Sequence, residues 1–401
     1  MLRLLVVAPT VDGTDVGEAW VAYQWARRLS ERHDVTVLTY RKRHKPSSVP
    51  QLPAARVIEW VEPPLLGAQE RLNSLLKPAY PWFYRRARTW IRARLAEGES
   101  FDVAHQPVPV AMRYPSPLRG LGIPYVIGPV GGGLASPPGF EIEDKAPWYV
   151  GLRRFDRWRV LHDRWLRHTY EDASCVLAIA PYAIEPLAGL AIRRLELLSE
   201  TGLEHVPPAR PRSEAVEGPV RLLFVGRVIR TKGVRDALRA LALVPELDVH
   251  LDVVGDGYDR GPCEALSAEL GLTERVRFHG TLPRSEVEAF YQAADVFFFP
   301  SFREPGGNVV FEAMGHGLAM LVCDRGGPGH VVDSASGIRV PARSAAQYPA
   351  ALAEALQRLV DDPGLRRSMG ESARRAVETR GLWQHRIEAA EAVYADLVSP
   401  T

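Results

Sequence analysis

The sequence predicts an α/β protein with two doubly wound domains, each built around a parallel sheet. Strand-like apolar runs alternate with segments of helical periodicity from one end to the other. A chain of 401 residues is too long for one typical hydrophobic core. The alternation is interrupted over 199–219, a segment rich in Pro, Glu and Ser that has no apolar period. These observations together favour two domains over one.

We expect a first domain over 1–198, a linker over 199–219 and a second domain over 220–380. A helix over 381–401 is expected to pack back on the first domain. Predicted strands of the first domain are Leu2–Ala8, Asp34–Thr39, Val57–Val61, Phe101–His105, Pro124–Gly128, Cys175–Ala180 and Leu195–Leu198. Those of the second are Val220–Gly226, Leu251–Gly255, Val276–Phe278, Val296–Pro300, Leu318–Cys323 and Ile338–Val340. Such sheets bind ligands at the carboxyl ends of their strands, so the cleft between the domains is the predicted active site.

Composition narrows the class of protein further. Hydrophobic residues make up 46% and charged residues 24%, as in folded globular proteins. The net charge of +2 gives no indication of nucleic-acid binding. Cys175, Cys263 and Cys323 are too few and too far apart for a disulfide framework or a zinc site. Without a signal peptide or a long apolar run, we expect a cytoplasmic protein.

The first strand of the second domain leads into a glycine-flanked basic loop. Gly226-Arg227 and Lys232-Gly233 enclose this loop, and a predicted helix follows it. Two cations at a strand–loop–helix turn suit a diphosphate, because the glycines let the backbone approach the anion. The alternative is an ordinary solvated basic loop.

A second motif follows the strand Val296–Pro300. Glu304 precedes Pro305-Gly306-Gly307-Asn308, which opens a helix, and Glu312 lies eight residues beyond Glu304. The free N–H groups at a helix start attract anions, and flanking carboxylates can accept from sugar hydroxyls. The alternative is a helix start with two ordinary surface glutamates.

Together these motifs resemble the retaining glycosyltransferases of GT-B fold, specifically family four. The resemblance rests on Gly-Arg…Lys-Gly and on Glu-x7-Glu, supported by Val253–Gly257 and by Phe278-His279-Gly280. It implies two Rossmann-like domains that face each other across a cleft. Many members read Glu-Pro-Phe-Gly-Leu where this chain reads Glu-Pro-Gly-Gly-Asn. The run Gly-Gly-Asn-Val-Val is similar to an exopolysaccharide or natural-product branch.

The resemblance assigns roles to individual residues. Arg227 and Lys232 would hold the leaving diphosphate, and Glu304 would lie beside the donor sugar. Glu312 would accept from the ribose hydroxyls. The remaining donor-site candidates are backbone amides and a surface for the base, at Gly306, Gly307, Asn308, Val309, Phe278, His279 and Gly280.

Candidates in the first domain carry weaker signals. Gly17 opens the first helix, where members of the family place a glycine near the phosphates. His105 ends a strand and could face the sugar or act in catalysis, or it could be a buried histidine; Gln106 follows it. Gly131, Gly132 and Gly133 could form an amide nest on the acceptor side, or a plain flexible loop.

The sequence favours electrostatic catalysis without a metal or cofactor. It contains no Asp-x-Asp motif that would hold a metal diphosphate, so Arg227 and Lys232 would stabilise the leaving group. The resemblance implies retention by same-face attack. The donor would be a nucleotide-diphosphate sugar, with UDP or GDP the first candidates. The acceptor stays open among a small molecule, a saccharide and a lipid-linked sugar.

Two other interpretations concern partners and activity. Residues 77–94 and 148–167 interleave arginines with aromatics, which suits contact with an anionic membrane, although the aromatics could instead pack inward. A dehydrogenase would need a Gly-x-Gly-x-x-Gly turn after the first strand, and none is present. A sugar-nucleotide epimerase, a glycan-extending synthase and a nucleotide-sugar-binding protein without transferase activity remain alternatives.

Overall fold

The computed structural model describes residues 1–64, 77–140, 155–208 and 218–399. Two compact units divide the chain. One comprises Met1–Gly133, Gly151–Glu200 and Arg386–Thr401, and the other comprises Leu134–Val150 and Thr201–His385.

The first unit contains a seven-stranded parallel sheet. Its strands are β1 (Arg3–Val7), β2 (Asp34–Arg41), β3 (Arg56–Val61), β4 (Val103–Gln106), β5 (Tyr125–Val130), β6 (Cys175–Ala178) and β7 (Leu195–Leu197). Their order across the sheet is β3-β2-β1-β4-β5-β6-β7. The helices of this part of the chain are α1 (Glu18–Ser30), α2 (Tyr80–Ala96), α3 (Phe155–His162) and α4 (Arg164–Glu171).

The second unit contains a six-stranded parallel sheet, in the order β10-β9-β8-β11-β12-β13. Its strands are β8 (Val220–Val225), β9 (Val249–Val254), β10 (Val276–Gly280), β11 (Val296–Phe299), β12 (Ala319–Cys323) and β13 (Gly337–Val340). Its helices are α5 (Val234–Ala242), α6 (Arg260–Glu269), α7 (Arg284–Ala293), α8 (Asn308–Gly315), α9 (Gly326–Val331), α10 (Tyr348–Asp361) and α11 (Pro363–Arg380). The last helix of the chain is α12 (Trp383–Val398).

Burial of the strands explains why the sequence folds in this way. Every residue of β11 and of β12 is buried, as expected when helices cover both faces of a parallel sheet. Each predicted strand is present within three residues at either end, and the α/β class with two parallel-sheet domains is confirmed. Among the helices described, none is long and apolar enough to cross a membrane.

The units exchange segments of chain in two places, and of these the prediction includes only the C-terminal one, as the helix over 381–401. Residues 134–140 belong to the second unit, although the sequence places them in the first domain. At the other end, Arg386–Thr401 belongs to the first unit, where Glu391 of α12 accepts from Arg32 at 2.7 Å. The division between Glu200 and Thr201 lies within the predicted linker 199–219, of which residues 209–217 are outside the described residues.

Candidate functional site

The carboxyl edge of the second sheet is built from glycines that let neighbouring loops touch. A Cβ atom at Gly255 would lie 2.0 Å from the carbonyl oxygen of Gly226, so only glycine fits there. The amide of Gly255 donates to Gly280 at 2.8 Å, and that of Gly226 donates to Val254 at 3.0 Å. Three of the predicted motifs therefore meet at one edge, in the loops after β8, β9 and β10.

Gly233 brings the basic loop against the end of β11. Arg230–Lys232 forms a single 3-10 turn, and Gly233 ends it with a left-handed φ of 80°. A Cβ at Gly233 would lie 2.1 Å from the carbonyl oxygen of Pro300. The close approach places Lys232 beside the segment that carries Glu304.

The three cations of this loop have different surroundings. Arg227 is exposed and forms no ion pair with any described residue. Arg230 is 1% exposed and pairs with the buried Asp236 at 2.6 Å. Lys232 is mostly buried and pairs with Glu304. Sequence alone gave no means of separating the buried structural arginine from the exposed one.

Lys232 and Glu304 form the polar centre of the candidate donor site. The ammonium of Lys232 donates to Oε2 of Glu304, and both side chains are largely buried. The ammonium also lies 5.6 Å from the centre of the Phe299 ring, at the end of β11. Phe299 was not among the predicted site residues, because a residue inside a buried strand carries no sequence signal of a polar neighbour.

The predicted glycine-rich helix start lies directly after Glu304. Gly307 precedes α8 with φ 92°, and a Cβ there would lie 3.6 Å from Cγ of Glu304. Asn308 and Val309 follow as the first helical residues, whose amides have no partner inside a helix. Gly306 and Gly307 are buried, and a Cβ at Gly327 would lie 2.0 Å from the carbonyl oxygen of Gly306.

Asn308 is held through its side chain as well as through the helix. The hydroxyl of Thr201 donates to Oδ1 of Asn308. The side-chain amide nitrogen of Asn308 thus has a fixed orientation at the helix start. Thr201 was not predicted as a site residue, since it lies more than a hundred positions away in the expected linker.

Glu312 lies in the second turn of α8, apart from the Lys232–Glu304 pair. The hydroxyl of Tyr291 donates to it at 3.0 Å, and Arg284 donates to it at 3.2 Å. Burial raises the pKa of Glu312 from its usual 4.5, while Arg284 and the Tyr291 hydroxyl act in the opposite direction. Burial likewise raises the pKa of Tyr291, so that residue stays a hydrogen-bond donor.

The segment predicted to carry the base has an irregular backbone. Phe278 and Gly280 pair with consecutive residues of β9, which leaves His279 as an extra residue in β10. The Nε2 atom of His279 donates to Asp252 at 2.6 Å, and its ring lies 4.5 Å from that of Phe290. Phe278 and His279 are half-buried and Gly280 is buried.

A buried cluster beneath the basic loop was missed by the sequence analysis. The Arg230 guanidinium lies 5.1 Å from the centre of the Phe302 ring and 5.7 Å from that of Phe140. The two rings are 4.5 Å apart. Phe140 belongs to the segment 134–140, so this segment packs against the Arg230 side chain of the basic loop.

Gly17 is exposed at the start of α1 in the first unit. It has φ 69°, and a Cβ there would meet nothing within 4 Å. Its neighbour Glu18 pairs with Lys77. The described geometry therefore requires glycine for its φ alone.

His105 is fully buried, with a partner for each ring nitrogen. The Nε2 atom lies 2.6 Å from the carbonyl oxygen of Gly128, and Nδ1 lies 2.6 Å from the hydroxyl of Tyr394. Because a carbonyl only accepts, Nε2 carries the proton and Nδ1 accepts from Tyr394. Burial lowers the pKa of His105 to about 4. These surroundings favour the alternative of a structural histidine over a residue that faces the sugar.

Gln106 is also buried, 2% exposed, and its amide nitrogen lies 3.4 Å from the hydroxyl of Tyr80. Its Oε1 atom is buried without a hydrogen-bond partner in the part of the chain that the structure describes.

The three glycines after β5 differ from one another. The amide of Gly131 donates to Val110 at 2.8 Å, and a Cβ there would lie 2.3 Å from Ile179. An amide nest that includes Gly131 is therefore not formed. Gly132 and Gly133 have φ of 156° and 73° and remain the acceptor-side candidates in this loop.

The two basic aromatic segments are only partly buried. In α2, Phe83 is buried and Trp82 is half-buried, as the inward-packing alternative requires. Trp158 and Trp165, by contrast, are 59% and 60% exposed. Trp148 lies outside the described residues.

Two family models match the chain over most of its length. The model described as "Glycosyl transferases group 1" matches residues 207–376, and "Glycosyl transferase 4-like domain" matches residues 16–198. The donor-site candidates and every strand of the two sheets except β1 lie within these matches. The chain belongs to the group 1 glycosyltransferases of GT-B fold.

Known proteins agree with this assignment at the level of sequence and of fold. The chain is 38% identical over 148 residues to the 2-deoxystreptamine glucosyltransferase of Streptomyces kanamyceticus, covering 36% of this chain and 37% of that protein. The match thus spans well under half of the curated relative. Among solved structures, sucrose-phosphate synthase of Thermosynechococcus elongatus has a TM-score of 0.71 at 20% identity, covering 99% of both chains. HepE of Anabaena, solved with UDP and glucose, has a TM-score of 0.64 at 16% identity, covering 98% of this chain and 99% of that one.

Proposed function

We propose that this protein transfers a sugar from a nucleotide diphosphate to an acceptor, with retention of the anomeric configuration and without a metal. The observation that carries the proposal is the Lys232–Glu304 pair at the start of α8. A cation, a helix start and a carboxylate at one point can serve a phosphate and a sugar hydroxyl together. The membership in the group 1 family supports the same reaction class.

In the proposed reaction, the sugar–phosphate bond breaks and negative charge develops on the leaving diphosphate. Lys232, the exposed Arg227 and the first amides of α8 would stabilise this charge, which is an electrostatic form of catalysis. Glu304 would accept from a donor-sugar hydroxyl while it orients Lys232. Glu312 would accept from the ribose. The leaving phosphate would take the proton of the acceptor as that group attacks from the same face.

The nature of the donor and acceptor is also part of the proposal. HepE of Anabaena binds UDP together with glucose, which makes UDP-glucose the first donor to test and GDP sugars the second. The relative from Streptomyces kanamyceticus is named for 2-deoxystreptamine, so aminocyclitols are the first small-molecule acceptors to test. Saccharides and lipid-linked sugars are the other acceptors to test.

The first experiment measures the melting temperature with UDP, GDP, ADP and dTDP. A nucleotide at about one hundred times its Kd stabilises the folded state by about 2.7 kcal/mol. We expect one nucleotide to raise the melting temperature of the wild type and to have no effect on Lys232→Ala or Glu312→Ala. Arg358→Ala, an exposed position of α10 in the same unit, is the matched control and should respond like the wild type.

A response of Lys232→Ala and Glu312→Ala equal to that of the wild type would overturn the proposed donor site. The proposed donor site would also be overturned if none of the four nucleotides raised the melting temperature of the wild type.

The reaction itself is followed by NMR with UDP-glucose and candidate acceptors. A transferase gives a new glycoside only when an acceptor is present, whereas an epimerase converts the nucleotide sugar alone. A binding protein consumes nothing. The anomeric coupling of the product tests retention, and an inverted product would contradict it. Excess EDTA should leave the rate unchanged, and a rate lost in EDTA and restored by a divalent metal would overturn metal independence.

Contact with an anionic membrane through residues 77–94 and 148–167 is a separate proposal. It is supported by the exposure of Trp158 and Trp165, of which Trp165 lines a cavity together with arginines of α2. Flotation with anionic vesicles tests it, and no flotation would leave the inward-packing alternative.

A further inference from the structure

Two neighbouring cavities lie beside α2 in the first unit, and no donor-site residue of the second unit lines either of them. One, of about 350 Å³, is lined by Tyr84, Arg88, Arg92, Arg119, Gly120 and Trp165. The other, of about 400 Å³, also includes Tyr84 and Trp165 in its wall. The rings of these two residues are 6.2 Å apart. The two cavities therefore border the same pair of aromatic rings, and together they are called the trough.

The first cavity carries an excess of positive charge. Arg119 pairs with Asp172 at 2.9 Å, while Arg92 forms no ion pair with any residue in the described ranges. Among the described residues, Arg88 donates to main-chain carbonyls, those of Pro117 and of Arg119. Three guanidinium groups thus line one cavity, and one of them, that of Arg119, is paired with a carboxylate.

The surroundings of Arg88 show that this charge is not neutralised locally. Burial is the main cause that lowers the pKa of Arg88; Tyr84 acts in the opposite direction, and the charges of Arg92 and Arg119 lower the pKa further. A ligand that carries two negative charges would remove the repulsion. Arginine forks match phosphate oxygens in geometry, and a phosphate monoester carries nearly two charges at neutral pH.

The second cavity has more aromatic and proline surface, although four cations also line it: Lys77, Arg85, Arg113 and Arg159. Its wall includes the rings of Tyr80, Tyr114, Pro81 and Pro115, which present apolar surface. Trp165 borders both cavities and is 60% exposed, an unusual exposure for so large an apolar side chain. An apolar arm in the second cavity would cover much of this surface.

The first cavity of the trough lies away from the carboxyl edge of the sheet. Arg119 comes shortly before β5, and Asp172 shortly before β6. Both therefore belong to loops at the amino edge, opposite the edge where doubly wound domains usually bind substrates. The second cavity reaches Tyr80, at the start of α2, whose hydroxyl accepts from Gln106 at the end of β4, so the trough follows this helix toward the carboxyl edge.

We propose that Arg88, Arg92 and Arg119 form a phosphate subsite, and that the adjoining cavity takes the apolar arm of the same ligand. The ligand class is a phosphate-bearing amphiphile. Its source is either a molecule free in solution or the headgroup of a bilayer lipid. The site lies outside the donor-site residues and its test needs no sugar transfer, so it and the proposed activity can fail independently.

Calorimetry with dihexanoyl phosphatidic acid, below its micelle concentration, tests the site. We expect saturable binding that Arg92→Gln and Arg119→Gln each weaken about tenfold or more. Arg86→Gln is the matched control, because Arg86 is exposed on the same helix but lies over the Trp82 ring. It should change the Kd less than twofold. Glycerol 3-phosphate should bind at least tenfold more weakly, since it lacks the apolar arm.

Three results would overturn the proposal: no binding of the short-chain lipid, an equal loss in Arg86→Gln, or equal affinity for glycerol 3-phosphate. If the lipid bound only by nonspecific attraction to basic helices, Arg86→Gln and Arg92→Gln would weaken binding equally. Flotation with phosphatidylcholine vesicles that contain phosphatidic acid then decides the source. Flotation that is lost in Arg92→Gln supports the site with a bilayer headgroup as its ligand. Binding of the short-chain lipid without flotation of the vesicles supports the site with a free amphiphile as its ligand.

Discussion

The ammonium of Lys232 donates to the carboxylate of Glu304, although 72 positions separate the two residues in the chain. The Lys232 side chain is 10% exposed and that of Glu304 is 15% exposed. Because water reaches neither charge freely, the ion pair itself offsets most of the cost of burying the two charges. The same pair is proposed to meet the donor, so its structural and chemical roles need separate tests.

A double-mutant cycle separates these roles. Lys232→Met and Glu304→Gln should each lower the free energy of unfolding by about 2 kcal/mol, because each leaves one partner uncompensated. The double variant should lose less than the sum of the two, as expected for residues in contact. Urea unfolding measures all three.

Activity should follow a different pattern from stability. Loss of a cation that stabilises the leaving group costs about 100-fold or more in kcat. The double variant should therefore recover stability but no activity. Recovery of both would mean that the pair only holds the loop, and would contradict the catalytic assignment.

Glu312 should destabilise the free protein at neutral pH. Because burial raises its pKa above the usual 4.5, the folded state holds more protons than the unfolded state above that pH. The stabilisation that the protonated Glu312 carboxyl gives the folded state is fully present below pH 4.5. It is lost as the pH rises through the pKa that Glu312 has in the folded protein.

Glu312→Gln keeps an acceptor for the Tyr291 hydroxyl but cannot ionise. We expect the variant to melt above the wild type at pH 7 and to approach it as the pH falls to about 4. The same variant should lose stabilisation by nucleotide. Melting scans between pH 4 and 8, with and without nucleotide, test both effects, and a variant that melts lower at every pH would contradict the first.

His105 should make the protein sensitive to mild acid. Its folded pKa of about 4 lies below the usual 6.5, so only the unfolded chain takes up a proton between these values. The stability that His105 contributes is complete above pH 6.5 and falls with pH toward 4, by an amount on the order of 3 kcal/mol.

His105→Gln should flatten the dependence of unfolding free energy on pH between 6.5 and 4. His162→Gln, at an exposed position of α3, should leave that dependence unchanged. Tyr394→Phe should lower stability by about 1–3 kcal/mol, because Nδ1 of His105 then has no donor. An unchanged slope in His105→Gln would mean that another group controls the acid transition.

Sequence patterns predicted the strands well because a buried parallel strand leaves a continuous apolar run. The run Val296–Phe299 is an example, and it is buried throughout. Patterns also made Lys232 and Glu304 site candidates, since glycines and prolines mark the loops that carry them. They could not show that these two residues pair, because no periodicity links loops that follow different strands.

Long-range contacts account for what the sequence did not reveal. Phe140 is predicted as part of the first domain, yet its ring packs against Phe302 of the second unit. His105 ends a strand at the sheet edge where ligands bind, and only the Tyr394 hydroxyl, 289 positions away, shows that its second nitrogen is occupied. Residues of this kind have ordinary surroundings in the sequence, and their roles depend on packing alone.

Gly233 gives the most direct test of how the basic loop is built. An alanine at this position faces two costs: its φ of 80° is unfavourable for a side chain, and its Cβ would lie 2.1 Å from the Pro300 carbonyl oxygen. Gly271 has a similar φ of 69° but open space around it, so Gly271→Ala isolates the first cost.

We expect Gly271→Ala to lower the free energy of unfolding by about 1–2 kcal/mol, the cost of a left-handed backbone. Gly233→Ala should lower it by a further ~2 kcal/mol or more, because the loop must move away from the end of β11. That movement would separate Lys232 from Glu304, so nucleotide stabilisation should also be lost in Gly233→Ala and kept in Gly271→Ala. Equal destabilisation by the two substitutions, measured by urea unfolding, would show that the contact with Pro300 does not determine the position of the loop.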